Sequence, residues 1–256
     1  MGDSETGSGG AAIQQAIVDN IRAQLRRQLG QEPPPALLQQ VVAGFMAKMQ
    51  TAVAAKPKLT REEAQQYWMA PADAANKPEA YLNADPRRGE LLLKLLDSCQ
   101  LNDPSILEIG CNAGRNLECL RRAGYPKLAG IEINQGAVDL LGSNYRELAE
   151  TASLTVSPVE DAIIGLMDSS IDVIFSMAVL VHIHPDSDWV FSQLARVAKH
   201  NIITIEDERN DTERHFKRNY QEVFEALGFS QLSERDCKDA PGLDGAYTAR
   251  VFKKDA

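Results

Sequence analysis

The feature of the sequence that most constrains its fold is a short apolar run that ends in a glycine-containing turn. Residues 106–109 are apolar except for Glu108, Gly110 follows directly, and residues 116–122 are compatible with a helix. A strand that passes through such a turn into a helix is typical of βαβ nucleotide sites, because glycine lets the backbone turn sharply and lie close to a ligand. We therefore expect a ligand site at this turn.

A second short apolar run, residues 128–133, carries an acid that indicates the same kind of site. Glu132 lies about 20 positions beyond Gly110, the offset at which a carboxylate reaches ribose hydroxyl groups in a βαβ unit. Asn112 occupies the place of the middle glycine of the dinucleotide motif, and Glu108 would repel a pyrophosphate. An acid before the turn suits instead a ligand with a positively charged group.

Beyond this point, segments compatible with helices and strands alternate. Strands are predicted at residues 154–156, 171–176, 201–205, 229–232 and 247–252, and helices at 135–151, 186–198 and 216–227. The alternation predicts an α/β fold with a doubly wound, mostly parallel, seven-stranded sheet that has helices on both faces. Only the polar loop 237–245 joins the last two strands, so we expect the last strand to be antiparallel.

The sequence divides into three predicted parts: a disordered leader at residues 1–10, a helical extension at 11–84 and an α/β domain at 85–256. Apolar residues recur at helical spacing over 11–29 and again over 33–53. Such a helix pair has to bury its apolar stripe. It would do so by packing on the main domain, by closing over a site as a lid, or by pairing with a second copy in a homodimer, and the sequence leaves these alternatives open.

Composition argues against several kinds of partner. The formal net charge of −9 disfavours nucleic acid, and the most apolar segment, residues 173–183, is too short to span a bilayer. The four cysteines have no metal or redox spacing, and no secretory signal precedes them, so we expect reduced thiols and a cytoplasmic location. Residues 1–6 fit a loose template for myristoylation of Gly2, but no basic cluster supplies the second signal for stable anchoring.

The spacing Glu108-x-Gly110-x-x-x-Gly114, followed by Glu132 on the next strand, resembles the S-adenosylmethionine site of class I methyltransferases. The order of elements over residues 86–252 is similar to that family's fold throughout. The resemblance implies that S-adenosylmethionine is the cofactor. It also implies methyl transfer to nitrogen or oxygen of a small acceptor that carries an amine or a hydroxyl group.

The resemblance also implies which residues bind the cofactor. Glu108 would lie near the ammonium group of the methionyl part, Glu132 would bind the ribose hydroxyl groups, and Glu160 or Asp161 would bind adenine. The full implied set is Glu108, Gly110, Cys111, Asn112, Gly114, Glu132, Ile133, Val159, Glu160, Ser176 and Met177. Tyr67, Trp68 and Tyr81, upstream of the core, stand where related small-molecule enzymes fold a lid over the cofactor, and ordinary core packing is the alternative.

Two catalytic candidates follow later strands. His182 is either a general base or a packing residue, and with His184 alone it gives no reason to expect a metal. Glu206 opens a run of three acids, residues 206–208. The run is either a solvated turn or a group that favours a cationic acceptor such as an amine, or that holds the hydroxyl groups of the acceptor. Because the methyl group on a sulfonium is already activated, positioning and exclusion of water supply most of the catalysis, and an amine acceptor needs no base.

Two other functions compete with methyl transfer. A nicotinamide-dependent oxidoreductase shares the strand–turn–helix start and the ribose acid, but Asn112 and the two-strand finish disfavour it. A non-catalytic scaffold with the methyltransferase fold, using the N-terminal helices to bind a partner, is the second.

Overall fold

The computed structural model describes residues 8–53, 57–82, 87–240, 243 and 245–255, with the side chains of 8–17 and 46–53 excepted. The chain forms two compact units, Met1–Lys56 and Pro57–Ala256.

The first unit is a pair of helices in contact with each other, α1 (Ser8–Leu29) and α2 (Pro35–Val53). Gly30 ends α1 with a left-handed φ of +68°, and its N–H donates to the carbonyl of Arg26. The sequence predicts a disordered leader at residues 1–10. Residues 1–7 of it, with Gly2, lie outside the described residues, and residues 8–10 belong to α1.

The second unit is built on a seven-stranded sheet with the order β3-β2-β1-β4-β5-β7-β6. The strands are β1 (Ile106–Ile109), β2 (Leu128–Glu132), β3 (Ser153–Val156), β4 (Ile171–Met177), β5 (Ala198–Asp207), β6 (Phe229–Asp236) and β7 (Tyr247–Lys254). The first five are parallel, and β7 is antiparallel to both of its neighbours. The predicted fold, including the antiparallel finish, is confirmed.

Helices cover both faces of the sheet. They are α3 (Arg61–Met69), α4 (Pro78–Leu82), α5 (Arg87–Ser98), α6 (Arg115–Arg122), α7 (Gln135–Asn144), α8 (Arg146–Thr151), α9 (Val159–Ala162), α10 (Trp189–Val197) and α11 (Tyr220–Glu225). Successive residues of a strand face opposite sides. Phe175 of β4 accordingly packs with α5 and α6, whereas Ile174 packs with α10 and α11. The single helix expected over 135–151 is divided at Tyr145, whose φ of −128° is not helical.

The segment 57–82 belongs to the unit that contains the sheet, so the structure divides the chain earlier than the boundary expected near residue 84. The N–H of Leu59 donates to the carbonyl of Glu213, and Lys58 Nζ donates to the carbonyls of Thr212 and His215, each at 2.7 Å. These bonds join the segment to the loop between β5 and α11.

β1 lies between β2 and β4, and the strand order reverses there. Ligands of open α/β sheets bind in the crevice at the carboxyl ends of the strands beside such a reversal. In the part of the chain that is described, no helix combines the length and apolarity that a membrane crossing requires.

Candidate active site

A cleft opens at this reversal, at the carboxyl ends of β1, β2 and β4. It is lined by residues from the turn after β1, the end of β2, the loop after β3, the loop after β4 and the segment 61–81. Of the residues expected to bind the cofactor, nine line it: Glu108, Gly110, Cys111, Asn112, Glu132, Ile133, Val159, Glu160 and Met177.

The turn after β1 is held against its neighbours on both sides. The N–H groups of Gly110 and Cys111 both donate to the carbonyl of Ile131, at 2.8 and 3.1 Å. Gly110 has a φ of +71°, and a Cβ atom there would lie 2.4 Å from Cγ2 of Val179. Only glycine fits between these two constraints, so the turn lies directly against the loop after β4.

Glu132, at the end of β2, is buried and carries two backbone hydrogen bonds. Its Oε2 accepts the N–H of Asn112 at 2.8 Å, and its Oε1 accepts the N–H of Asn134 at 2.9 Å. Burial raises the pKa of this carboxyl, and the two N–H groups oppose that shift. A carboxylate fixed in this way has lone pairs left to accept two hydroxyl groups.

Glu108 has one carboxylate oxygen that is buried without a partner. Its Oε1 accepts Nδ2 of Asn116 at 2.7 Å, whereas Oε2 has no hydrogen bond to any described residue. Burial raises the pKa of Glu108 to about 8. Because an unpartnered buried oxygen is costly, this atom indicates that a ligand group donates to it.

Arg115 supplies an unpartnered donor in the same cleft, and the sequence analysis did not single it out. Nη2 of Arg115 donates to Oδ1 of Asn116 at 3.0 Å, and Nη1 is buried without a partner among the described residues. One acid and one guanidinium around the same space complement a zwitterionic amino-acid group. The signal in the sequence was the position of Arg115, at the first residue of α6 directly after the turn.

The loop after β3 resolves the choice between two acids. Glu160 is buried and lines the cleft together with Pro158 and Val159, whereas Asp161 is exposed and does not line it. Of the two candidates, Glu160 is therefore the one placed to meet a base in the cleft.

The segment 57–82 covers one side of the cleft. A capping box begins α3: the N–H of Glu63 donates to Thr60 Oγ1 at 3.2 Å, and the N–H of Thr60 donates to Glu63 Oε2 at 2.8 Å. Trp68 of α3 and Tyr81 of α4 line the cleft. The Trp68 ring lies 4.4 Å from the ring of His182, and its Nε1 is buried without a described partner.

His182 follows β4 and lines the cleft. Its Nδ1 donates to the carbonyl of Arg214 at 2.9 Å, and burial lowers the pKa of the imidazole to about 3. An imidazole with so low a pKa is a weak base. Of the two roles that the sequence left open, the geometry therefore favours packing beneath Trp68.

The strands that form the cleft belong to a segment that matches a known protein family. Residues 107–204, from β1 to β5, match a family profile described as "Methyltransferase domain". Over these residues the chain is similar to methyltransferase domains. No curated protein matched the sequence.

Solved structures with the methyltransferase fold are similar despite low identity. Magnesium protoporphyrin IX methyltransferase from Synechocystis PCC 6803, with bound SAH, is 13% identical at a TM-score of 0.57, covering 77% of this chain and 100% of that one. The cyclase SpnF is 15% identical at a TM-score of 0.59, covering 79% and 100%. A methyltransferase from Methanosarcina mazei is 20% identical at a TM-score of 0.51, covering 60% and 94%. Such likeness establishes the fold alone.

The cofactor of a class I methyltransferase domain is S-adenosylmethionine, and the residues of this cleft fit it. The unpartnered Oε2 of Glu108 suits the ammonium group, and the unpartnered Nη1 of Arg115 suits the carboxylate. Glu132 suits the ribose hydroxyl groups, and Glu160 suits the amine of adenine. When bound, the cofactor supplies an activated methyl group.

Glu206 does not face the cleft of the methyltransferase domain, which corrects the prediction that it contacts an acceptor. It is fully buried beneath the loop after β4, where its carboxylate accepts the backbone N–H groups of Val179, Leu180 and Val181 at 3.1–3.2 Å. Ser176 donates to it at 2.6 Å, and burial raises the pKa of Glu206 to about 7. The acid positions the loop because strand β5 ends under it.

The other two acids of the run are also bonded to groups of the protein, and neither lines the cleft. Asp207 accepts the backbone N–H groups of Arg209 and Asn210, both at 2.9 Å. Glu208 forms a two-bond ion pair with Arg250, each bond being 2.8 Å.

Two residues expected to bind the cofactor do not line the cleft. Ser176 is buried with its hydroxyl turned to Glu206. Gly114 precedes α6 with a φ of +77°, and a Cβ atom there would lie 2.4 Å from Cδ1 of Leu141. Gly114 is therefore required for packing against α7. Among the described residues no cluster of three or more His, Cys, Asp or Glu side chains is arranged to hold a metal ion.

Proposed function

We propose that this domain transfers the methyl group of S-adenosylmethionine to a nitrogen or oxygen atom of a small molecule. The observation that carries the proposal is that Oε2 of Glu108 and Nη1 of Arg115 are both buried without a partner among the described residues, in the cleft that Glu132 also lines. These groups match the charged end of the methionyl part, and the acid at the end of β2 matches the ribose.

The protein's own contribution would be positioning and the exclusion of water. Gly110 lets the turn lie against the loop after β4, and Glu206 fixes the backbone of that loop. Trp68 and Tyr81 close the cleft from the segment 57–82. Holding the acceptor in line with the S–CH₃ bond supplies most of the rate in a reaction whose methyl group is already activated.

The direct test is to incubate the full-length protein with S-adenosylmethionine carrying a labelled methyl group and with fractions of small metabolites. We expect one class of small molecule to take up label. The variant Glu132→Ala should lose that transfer, because it would no longer hold the ribose. Absence of label uptake by every fraction would contradict the proposal, and uptake that is unchanged in this variant would contradict the placement of the ribose at Glu132.

A scaffold or a different reaction on the same fold is the second candidate, since the similar structure SpnF is described as a cyclase. Cofactor binding without transfer to any acceptor would favour it. A nicotinamide-dependent oxidoreductase is disfavoured by the paired antiparallel strands β6 and β7.

We further propose a cytoplasmic location, since all four cysteines are free thiols, and a role for α1 and α2 either as a lid or in a homodimer. Sedimentation of the full chain, with and without residues 1–56, would test the dimer.

A further inference from the structure

A second cavity adjoins the cofactor cleft. Trp68, Tyr81 and His182 line both spaces, and the second cavity is also lined by Leu243, Tyr247 and His215. A molecule in this cavity would therefore lie next to the cofactor, with aromatic rings and the polar side chains of Arg88 and Arg214 around it. Such walls suit a flat ring.

His215 is the residue of this cavity with the geometry of a base. Its Nδ1 is buried, lies 3.5 Å from Oδ2 of Asp207, and forms no closer hydrogen bond to a described residue. The side chain is 27% exposed. With the ring proton on Nδ1, facing the carboxylate, Nε2 keeps a lone pair that can accept a proton. A separation of 3.5 Å is long for a hydrogen bond, and such pairs commonly shorten when the acceptor and cofactor are bound.

Asp207 and the surrounding charges favour a neutral His215 ring with its proton on Nδ1. Burial alone would raise the pKa of Asp207, but the N–H groups of Asn210 and Arg209 lower it, so the carboxylate stays ionised. Burial lowers the pKa of His215, and the charges of Arg214 and Lys58 act in the same direction, whereas Asp207 opposes them. The imidazole is therefore neutral and able to accept a proton at physiological pH.

We infer that the methyl acceptor is a phenol that occupies this cavity, and that His215, oriented by Asp207, is the base that takes its proton. The inference rests on the proposed function. The phenolic O–H proton passes to Nε2 of His215 while an oxygen lone pair forms the bond to the methyl carbon. The S–CH₃ bond breaks and its electron pair stays on sulfur, which becomes a neutral thioether. The imidazolium, stabilised by Asp207, then releases its proton to solvent.

The acidity of the acceptor decides in favour of a phenol. A phenolic hydroxyl has a pKa of about 10, within reach of an imidazole, whereas the pKa of an alcohol is far higher. An amine would need no base, and the pair of His215 and Asp207 would then have no role. The aromatic walls agree with a phenol.

The test compares 4-methylphenol, which is neutral at mildly alkaline pH, with 4-nitrophenol, which is largely ionised there. We expect the full-length protein to methylate both with S-adenosylmethionine. His215→Asn should lower kcat for 4-methylphenol at least about 100-fold, but should change 4-nitrophenol only about threefold, because the ionised phenol needs no base. His200→Asn, a histidine outside both cavities, is the matched control and should change neither rate.

Two further measurements separate a chemical role from a structural one. Cofactor affinity of His215→Asn should stay within about threefold of wild type, which shows that the cofactor cleft is intact. Asp207→Asn should lower kcat for 4-methylphenol with little change in KM, since it acts through His215.

Equal losses for both phenols in His215→Asn, or methylation of benzylamine but of neither phenol, would overturn the inference and leave the proposed function standing. Absence of S-adenosylmethionine binding by the wild-type protein would overturn the proposed function as well.

Discussion

Glu132 at the end of β2 accepts the backbone N–H of Asn112, in the turn after β1, at 2.8 Å. The acid that is placed to hold a ribose therefore also holds the turn that carries the rest of the cleft. Asn112 has a left-handed φ of +46°, which is uncommon for a residue with a side chain, and this bond stabilises it. Ligand binding and the shape of the turn are thus coupled through one carboxylate.

The first prediction concerns this carboxylate. Glu132→Ala should weaken binding of S-adenosylmethionine by about 2–4 kcal/mol, or roughly 30- to 1,000-fold, because charge-assisted hydrogen bonds to the ribose are lost. Asp139→Ala, which removes an exposed acid from α7, is the control and should bind as wild type does. Isothermal titration calorimetry gives both affinities. An unchanged affinity in Glu132→Ala would refute the ribose assignment.

The second prediction concerns the pH dependence of binding. Burial raises the pKa of Glu108 to about 8, so the free protein holds this carboxyl protonated at neutral pH. Only the ionised form pairs with an ammonium group, so affinity for S-adenosylmethionine should increase as pH rises toward 8, by at most about tenfold per pH unit. Glu108→Gln should bind weakly, with a smaller slope. The same slope in the variant would show that another group titrates.

The third prediction compares two glycines with positive φ, of which only Gly110 is also in close contact with a side chain. Gly110→Ala places a methyl group 2.4 Å from Val179 at a φ of +71°, whereas Gly124→Ala has a φ of +93° with nothing within 4 Å. Gly124→Ala should cost only the strain, about 1–2 kcal/mol of unfolding free energy, and Gly110→Ala should cost more. Denaturant titration measures both. Equal losses would mean that the contact with Val179 is easily relieved.

The fourth prediction concerns stability. Burial raises the pKa of Glu206 to about 7, above its value in the unfolded chain, so the folded state binds the proton more tightly. The contribution of Glu206 to the free energy of unfolding is fully present below about pH 4.5. As pH rises through 7, about 3 kcal/mol of it is lost. Glu206→Gln should flatten this part of the profile of unfolding free energy against pH. An unchanged profile would contradict the assignment.

Much of the cofactor cleft could be predicted from sequence because its residues follow strand ends. Glu108, Gly110 and Glu132 are fixed relative to one another by the register of β1 on β2, which pairs Glu108 with Gly130. A strand–turn–helix pattern implies that register, so spacing along the chain was sufficient to bring these side chains together.

The sequence did not predict the surroundings of residues 206–208 or the packing of the segment 57–82. Residues 206–208 could face solvent or the underside of a loop, depending on where β5 ends relative to β4. The composition of the run does not reveal that end point. The segment 57–82 reads as part of a helical extension, but Lys58 bonds to a loop about 150 residues further along the chain. Contacts at such separations follow from tertiary packing, and a local pattern does not encode them.

The proposed function depends on the binding of S-adenosylmethionine by Glu108 and Glu132 in the cleft at the ends of β1 and β2. The most direct measurement is calorimetric titration of the full-length protein with S-adenosylmethionine and, separately, with NADH. We predict that S-adenosylmethionine binds at one site per chain, that both Glu108→Gln and Glu132→Ala weaken it, and that NADH does not bind there. Binding of NADH at this site, or S-adenosylmethionine binding that neither variant changes, would contradict the account.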